Sequence, residues 1–303
     1  MTASSSYADW IAVDWGTSNL RAWAMRDDTA IAEAASDKGM GCLDRNGFEP
    51  ALIELIEPWL GTGKTPVLAC GMVGSRQGWV EAPYATVPSK PLSDRLATPL
   101  VTDSRIDVRV VPGLKQHTPP DVMRGEEVQI AGLLAAMPNF DGVLCLPGTH
   151  TKWAQISAGE VVSFRTFMTG ELFGLIAKNS VLRHSIGGGW DKTSFETAIS
   201  DALSRPEMMA AKLFAIRADQ LLNNKNSGAA RAHLSGLLIG AELAAAKPYW
   251  LGQNIVLIGE ETLSGHYADA LQTQGATAHI ANATQTTLAG LTQARKLMKE
   301  AKA

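Results

Sequence analysis

Residues 11–23 read IAVDWGTSNLRAW, a pattern that predicts a strand, a tight turn and a second strand. Ile11 and Val13 supply β-branched side chains that suit a buried first strand. Gly16 has no side chain, so another group can approach the backbone closely there. The apolar alternation resumes at Leu20. The stretch therefore predicts a hairpin with a polar, accessible turn.

The residues of this turn carry the first chemical signal. Asp14 ends the apolar strand, and Thr17, Ser18 and Asn19 follow it with hydroxyl, amide and backbone donors. Such a turn suits a polyphosphate, because amides and hydroxyls bind phosphate oxygens and the carboxylate holds hydrated magnesium. An ordinary β-hairpin explains the same residues, so this stretch alone leaves both interpretations open.

A second stretch, residues 142–154 (GVLCLPGTHTKWA), repeats the order of the first: an apolar strand, Gly-Thr, a polar turn, and Trp in a returning strand. The two stretches lie about half a chain apart, which indicates two related halves and not an array of short repeats. The repetition strengthens the phosphate interpretation of both turns. Arg21 and Lys152 stand where they would meet phosphate charge.

Composition narrows the class of protein. The 303 residues are enough for two domains, and 46% hydrophobic with 19% charged residues predicts a soluble globular chain. A net charge of -3 argues against a general nucleic-acid surface. Three widely spaced cysteines, a polar N-terminus and no membrane-length apolar run predict a reduced cytoplasmic protein without a membrane segment.

The loop GMVGSRQGWVEAPY, residues 71–84, follows an apolar strand, a place where ligands are often bound. Gly74 permits close backbone approach, and Arg76 suits bidentate capture of a carboxylate. A surface loop with a solvated arginine is the alternative interpretation.

The pattern from Asp121 onward predicts a helix with Glu126 and Glu127 in its first turn. Acids there complement the helix dipole, which is the simpler interpretation. The functional alternative is a general base that points from the helix N-terminus into a cleft. Later in the chain, residues 255–260 (IVLIGE) and a helix from Thr262 form a strand–Gly–helix unit that suits a nucleoside.

Two phosphate-type hairpins, a helix between them and a late strand–Gly–helix unit resemble the superfamily of acetate and sugar kinases, Hsp70 and actin. The stretches DWGTSNLRAW, LPGTHTKW and IVLIGEETLSG are similar to its two phosphate motifs and its adenosine motif. Glu260 stands where the adenosine motif usually has a second glycine. The resemblance implies an α/β fold of two ribonuclease-H-like (actin/hexokinase-type) domains with a nucleotide-binding cleft between them. The expected domains are residues 1–137 joined by the C-terminal helix 286–303, and residues 138–285.

Within that superfamily the chain resembles the 2-dehydro-3-deoxygalactonokinase family. The resemblance rests on five stretches: VDWGTSNLRAW, GMVGSRQGWVEAPY, DVMRGEEVQIAGLL, LPGTHTKWA and FMTGELF. It implies ATP-dependent phosphorylation of the 6-hydroxyl of 2-dehydro-3-deoxy-D-galactonate, in D-galactonate breakdown. Two alternatives stay open: a kinase for a related acid such as 2-dehydro-3-deoxygluconate, and a non-metabolic ATPase module of the same superfamily.

The resemblance also implies roles for particular residues. Asp14 would hold Mg²⁺, Lys152 would neutralise developing charge, and Gly259 would approach the nucleotide. The ATP phosphates would be bound by two groups of residues, Gly16, Thr17, Ser18 and Asn19 in the first half and Gly148, Thr149 and His150 in the second.

Related sugar kinases have a catalytic acid at the start of the interdomain helix. Glu126, 22 residues before Gly148, is the first candidate for the base, with Asp121 and Glu127 in reserve.

The keto-acid substrate calls for an arginine that binds its carboxylate. The candidates for this substrate site are Arg76 with Gly74, then Arg124 and Arg165, and Arg76→Ala is predicted to raise KM for the keto acid. The expected partners are thus a sugar acid and ATP, without nucleic acid or membrane. The sequence leaves a homodimer open.

Overall fold

The computed structural model describes residues 7–300; the first six residues of the predicted polar N-terminus, and residues 301–303 of the predicted final helix, lie outside the described residues. Thirteen strands occur within that range. In chain order they are β1 Trp10–Trp15, β2 Leu20–Arg26, β3 Thr29–Ser36, β4 Thr65–Gly71, β5 Tyr84–Thr86, β6 Ile106–Val110, β7 Gly113–His117, β8 Pro120–Met123, β9 Gly142–Leu146, β10 Thr151–Ser157, β11 Glu160–Phe167, β12 Ile255–Gly259 and β13 Ala278–Asn282.

Nine α-helices occur in the same described residues. They are α1 Phe48–Ile56, α2 Glu126–Ala136, α3 Thr169–Asn179, α4 Lys192–Ser204, α5 Met209–Asn223, α6 Ser227–Ala245, α7 Lys247–Trp250, α8 Glu261–Gln272 and α9 Ala283–Glu300. No helix between residues 7 and 300 combines the length and the apolar character needed to cross a bilayer.

The chain divides into two compact units. The first takes in the described residues up to Phe140, the segment 158–162 and the described residues from Ala283 onward; the second comprises 141–157 and 163–282. The functional domains expected over 1–137 with 286–303, and over 138–285, stay a prediction.

The first unit is built on a five-stranded sheet of order β3-β2-β1-β4-β6. Strands β1, β2 and β3 are antiparallel, whereas β4 and β6 run parallel to β1. Both faces of the central strand are buried: Ile11 and Val13 pack towards α1, and Trp10 and Ala12 pack on the side of α2 and α9. Burial on both faces explains why residues 10–13 are all apolar.

The second sheet, of order β11-β10-β9-β12-β13, repeats the first. Its strand β9 pairs antiparallel with β10 and parallel with β12, and β12 pairs parallel with β13. Helices α4, α6 and α8 cover one face, with Phe195, Ile239 and Leu271 in the shared core. The same strand order in both sheets confirms the two related halves and the α/β fold predicted from the repeated hairpins.

The predicted helix start at Asp121 is wrong. Residues 120–123 form β8, which pairs antiparallel with β7, and α2 begins only at Glu126. Gly125 separates the two elements with φ +106°, a conformation that side chains rarely adopt and that breaks the helical pattern before Glu126.

Helices α2 and α9 pack with unusually close backbones. A Cβ at Gly290 would come closer than 3.0 Å to the carbonyl oxygen of Val128, and a Cβ at Gly132 would clash in the same way with that of Thr286. The two glycines therefore set how near α9 lies to α2, the helix that begins with Glu126.

Gly290→Ala is expected to lower the free energy of unfolding by about 1–3 kcal/mol, because the added methyl forces the helices apart. Gly265→Ala in α8 is the matched control, since a Cβ there meets nothing within 4 Å. It should be neutral or stabilising by up to about 1 kcal/mol through helix propensity. Denaturant unfolding of both variants checks the pair, and equal stabilities would contradict the packing argument.

Candidate active site

The first candidate site lies where parallel strands β1 and β4 end together. Their register places Asp14 opposite Cys70 and Trp15 opposite Gly71. Gly71 has φ +92°, and a Cβ there would lie 2.6 Å from the carbonyl oxygen of Trp15. A glycine is needed at this position both for its conformation and for space.

A second glycine brings α2 to the same sheet edge. A Cβ at Gly125 would lie 3.3 Å from the Cα of Gly71, so the two backbones approach one another directly. Because Gly125 precedes the first residue of α2, this approach carries Glu126 to the end of β1. The helix start and the first phosphate turn thus meet around Asp14.

These elements surround a pocket of about 170 Å³. It is lined by Asp14, Gly16, Gly71, Met72, Arg124, Gly125, Glu126, Gln129 and Thr287. The Asp14 side chain is 21% exposed and forms an ion pair of 2.5 Å with Arg21. The pocket therefore combines two carboxylates with one guanidinium, and four of the residues predicted from the sequence, Asp14, Gly16, Arg124 and Glu126, meet in it.

The three candidates for the base have different surroundings. Glu126 is partly exposed in the pocket, and its Oε2 accepts a hydrogen bond of 3.0 Å from the backbone N–H of Arg124. Glu127 is fully buried and accepts bonds of 2.9 and 2.7 Å from the Gly125 N–H. Burial and then the nearby Glu126 raise the pKa of Glu127 to about 8, so its carboxyl is mostly protonated at neutral pH. Asp121 lies on β8 and does not line the pocket.

Among the three candidate arginines, Arg124 has the surroundings that favour binding of an anion. Its side chain is 8% exposed, Nη2 donates to the Ala82 carbonyl at 2.8 Å, and the guanidinium lies 4.3 Å from the Tyr84 ring centre. Its Nε and Nη1 are buried without a hydrogen-bond partner among residues 7–300. An unpaired buried donor is costly, so Arg124 keeps donors that no described residue satisfies, and guanidinium donors of this kind bind carboxylates.

The other predicted substrate residues lie elsewhere or act indirectly. A Cβ at Gly74 would lie 2.8 Å from Nη1 of Arg124, so this glycine leaves room for the guanidinium. Arg76 is exposed, and its carbonyl accepts from Arg45 at 3.2 Å. Arg165 is exposed on β11. Neither Arg76 nor Arg165 lines the pocket that contains Asp14.

The first phosphate turn is held by a neighbouring segment. The side chains of Thr17, Ser18 and Asn19 are exposed, while the Gly41 N–H donates to the Thr17 carbonyl at 2.8 Å. A Cβ at Gly39 would lie 2.6 Å from the Asn19 nitrogen. The polar groups of the turn therefore face solvent on a backbone fixed from behind.

The second phosphate turn is held by the start of α3. The Glu171 N–H donates to the Thr149 carbonyl at 2.9 Å, and the Glu171 carboxylate contacts His150 Nε2 at 2.6 Å. A Cβ at Gly148 would meet nothing within 4 Å, which leaves its backbone open to a ligand. The backbone of α3 touches this turn at Gly170, where a Cβ would lie 2.9 Å from the Thr149 Cα.

Gly170→Ala is expected to raise KM for ATP about tenfold, because the methyl would lie closer than 3.0 Å to the Gly148 carbonyl oxygen and displace the second phosphate turn. Gly174→Ala, one turn later in α3, meets nothing within 4 Å and serves as the control. Steady-state kinetics at varied ATP concentration checks both. Unchanged KM in Gly170→Ala would show that the turn tolerates the displacement.

Lys152 lines neither the pocket around Asp14 nor the larger pocket beside Gly148. Its side chain is 6% exposed, and Nζ donates to Thr166 Oγ1 at 2.8 Å between β10 and β11. Its predicted role in neutralising phosphate charge stays a prediction.

The second unit contains a larger pocket of about 730 Å³. Gly148 and Thr149 form part of its lining, together with Thr169, Gly170, Phe173, Gly189, Trp190, Arg231, Ser235, Leu238, Ile239, Glu260, Thr262, Leu263, His266 and Tyr267. The rings of Trp190 and His266 stack with centroids 3.8 Å apart. This apolar and aromatic lining beside a phosphate-type turn has the chemistry of a nucleoside site.

The surroundings of Gly259 and Glu260 show why the chain has a glutamate where the adenosine motif usually has its second glycine. A Cβ at Gly259 would lie 3.0 Å from both the Pro147 carbonyl and Ser264 Oγ. Glu260 caps α8, since its carboxylate accepts from the N–H groups of Thr262 at 3.0 Å and Leu263 at 2.8 Å. These backbone bonds hold the pKa of Glu260 below its usual value. The residue that replaces the second glycine therefore has a structural task.

The sequence interpretation missed several residues around the two sites. Ala82 and Tyr84 hold Arg124, Gln129 hydrogen-bonds Thr287 at 3.3 Å, and Trp190 stacks in the larger pocket. Their contacts are made between segments distant in the chain, and a single sequence carries no signal for such pairs. Within residues 7–300, no three His, Cys, Asp or Glu side chains form a metal-binding group.

Comparison with known proteins agrees with this architecture. A family model described as 2-keto-3-deoxy-galactonokinase matches residues 14–294. A probable 2-dehydro-3-deoxygalactonokinase of Rhizobium meliloti (strain 1021) is 37% identical over 304 residues, covering 98% of each chain. The 2-dehydro-3-deoxygalactonokinase of Escherichia coli (strain K12) is 36% identical over 280 residues, with 88% of this chain and 91% of that protein covered.

Solved structures show the same relationship. A Sinorhizobium meliloti protein assigned as a 2-dehydro-3-deoxygalactonokinase aligns with a TM-score of 0.84 at 34% identity, covering 95% of this chain and 98% of that one. The activator of the 2-hydroxyisocaproyl-CoA dehydratase from Clostridium difficile shares the fold alone, with a TM-score of 0.53, 11% identity and coverage of 97% and 96%. As the sequence motifs predicted, the chain belongs to the 2-keto-3-deoxy-galactonokinase family and is a sugar-acid kinase.

Proposed function

We propose that this kinase transfers the γ-phosphoryl group of ATP to the 6-hydroxyl of 2-dehydro-3-deoxy-D-galactonate, in D-galactonate breakdown. The observation that carries the proposal is the pocket that Asp14 and Glu126 line together with the buried Arg124. Family membership supports the substrate class, and the unpaired Nε and Nη1 of Arg124 suit the carboxylate of an acid.

ATP binding is assigned to the two turns and the larger pocket. The nucleoside fits the aromatic lining that contains Trp190 and His266, and its phosphates suit the open backbone of Gly148 and Thr149. The exposed donors of residues 16–19 are proposed to bind phosphate oxygens as well.

Asp14 is the proposed Mg²⁺ ligand. Mg²⁺ keeps several waters and is bound by one or two carboxylates with substrate phosphates, so a single partly exposed carboxylate fits it. When bound, Mg²⁺ supplies charge neutralisation for the phosphates. Arg21, which forms an ion pair with Asp14, adds a positive charge beside the same site.

The proposed transfer needs positioning more than covalent chemistry. The 6-hydroxyl oxygen forms a bond to the γ-phosphorus, the bond to the β,γ-bridging oxygen breaks, and ADP leaves with that oxygen. The hydroxyl proton goes to the carboxylate of Glu126, which is partly exposed and lines the pocket, whereas Glu127 is buried and outside its lining. Arg124 holds the other end of the substrate.

An assay of ADP release with each acid tests the proposal. The protein is incubated with ATP and Mg²⁺ alone, with 2-dehydro-3-deoxygalactonate, and with its 2-dehydro-3-deoxygluconate epimer. We expect acid-dependent ADP release with the galactonate derivative preferred. Preference for the epimer would assign the related-acid kinase, and release indifferent to every acid would favour the ATPase module.

The proposed setting is the cytoplasm. Cys42, Cys70 and Cys145 are all free thiols, which is typical of proteins that work in a reducing compartment.

A further inference from the structure

Glu242 is a buried acid that the proposed mechanism does not use. It lies in α6 with 3% of its surface exposed. Its Oε1 accepts from Trp153 Nε1 at 2.7 Å, and its Oε2 accepts from the Tyr267 hydroxyl at 2.7 Å and from the Thr169 hydroxyl. Burial raises the pKa of Glu242 to about 7, although the three hydrogen bonds act to lower it. A carboxyl kept in a core at this cost is expected to have a task.

The partners of Glu242 belong to three elements near the second phosphate turn. Trp153 is on β10, which leaves the turn, Thr169 is the first residue of α3, and Tyr267 is in α8. The Tyr267 hydroxyl also lies 2.9 Å from the hydroxyl of Thr151, two residues after Thr149. A continuous hydrogen-bond chain therefore joins Glu242 to the end of the turn.

Two of these elements, α3 and α8, also line the larger pocket, where ATP is proposed to bind. Thr169 and Tyr267 line the larger pocket with Gly148 and Thr149, and α3 holds the turn through the Glu171 N–H. The carboxyl thus lies behind the pocket and holds its walls, without lining it.

We propose that Glu242 is the positioning residue of the second phosphate turn, and that it sets the affinity for the ATP phosphates without touching them. The inference rests on the proposed use of residues 148–150 as a phosphate site. Its mechanism is preorganisation: a turn held in the bound geometry loses less freedom when the phosphates bind.

The hydrogen-bond chain predicts which substitutions are tolerated. In Glu242→Gln the amide oxygen can accept from Trp153, while the NH₂ group donates to the Thr169 and Tyr267 oxygens. The Tyr267 hydroxyl then donates to Thr151, so the chain persists with reversed direction. Glu242→Leu fills a similar volume and leaves three buried donors without their acceptor.

The experiment measures Kd for ATP by calorimetry and the KM values of both substrates for wild type and four variants. Glu242→Leu is compared with Glu242→Gln, and with Leu243→Ala as the control for general destabilisation. Leu243 is fully buried in the core next to Glu242 and makes none of the bonds in the chain. Thr151→Val keeps the Glu242 bonds and cuts only the last link, which preserves the test if the leucine variant fails to fold.

We expect Glu242→Leu to raise Kd and KM for ATP at least about tenfold, the scale of one lost charged hydrogen bond, with KM for the sugar acid within about twofold. Glu242→Gln should stay within about threefold of wild type, Thr151→Val should fall between the two, and Leu243→Ala should lower Tm with ATP affinity unchanged. Equal changes in Leu243→Ala and Glu242→Leu, or unchanged ATP affinity in both Glu242→Leu and Thr151→Val, would overturn the positioning role.

The design separates this inference from the proposed function. Wild type that binds ATP and phosphorylates no sugar acid would reject the proposed function, while the Kd comparison still decides the role of Glu242. Active wild type with an unaffected Glu242→Leu variant would reject only the positioning role. Wild type that binds no ATP would reject both.

Discussion

Glu126→Gln is expected to lower kcat by about 10²–10⁴-fold, the usual contribution of a general base. The amide has the same size as the carboxyl, and its oxygen can still accept the Arg124 N–H bond that Glu126 makes at 3.0 Å. The variant therefore loses the ability to take a proton and keeps the local structure. Initial rates and calorimetric ATP titration check this, since Kd for ATP should be nearly unchanged.

Two neighbouring acids supply the controls for this prediction. Asp121→Asn changes a residue on β8 outside the pocket, and we expect nearly normal turnover. Glu127→Gln replaces a carboxyl that is mostly protonated at neutral pH, so its kcat should fall far less than that of Glu126→Gln. Near-normal turnover of Glu126→Gln with a large loss at either neighbour would move the base to that residue.

Arg124→Met is expected to raise KM for the sugar acid about 10²-fold, through the loss of charge-assisted bonds to the substrate carboxylate. Methionine fills part of the buried volume, so the loss measures the guanidinium more than a cavity. Arg124→Lys should recover only part of the affinity, because an ammonium cannot form the planar two-bond contact. Kinetics at varied sugar acid and saturating ATP check the series.

Arg76→Ala is the comparison that decides which arginine binds the carboxylate of the sugar acid. Arg76 is exposed and lies outside the pocket lining, so we expect a smaller rise in KM than at Arg124. A substrate analogue with a C1 amide sharpens the test: wild type should bind it more weakly than the acid, and Arg124→Met should barely distinguish the two. A large effect at Arg76 with none at Arg124 would assign the carboxylate to Arg76.

Local patterns are what a single sequence reports well. The strand–turn–strand stretches around Gly16 and Gly148 were predictable because their alternation and turn residues act within a few positions. Their repetition then predicted two related halves, which the matching strand orders of the two sheets confirm, and the motifs predicted the family. The helix start was misplaced at Asp121, because strand β8 is defined by its pairing with β7 and not by its own pattern.

The choice among equivalent residues required contacts between distant segments. Arg76, Arg124 and Arg165 are chemically alike in the sequence, and only burial beneath Ala82 and Tyr84 leaves Arg124 with two unpaired donors. Glu126 and Glu127 are adjacent in the chain but differ in burial, and burial raises the pKa of Glu127 to about 8.

The two strand–turn–strand stretches, together with the motifs between and after them, thus predicted the fold and family of this protein, since strand alternation and turn chemistry are properties of neighbouring residues. Tertiary structure alone decided how the site is assembled. The approach of Gly125 to Gly71 brings Glu126 to Asp14, and Glu242 joins three separate elements behind Thr149. Both arrangements depend on which backbones and side chains exclude water from one another, and that is settled only when the whole chain has packed.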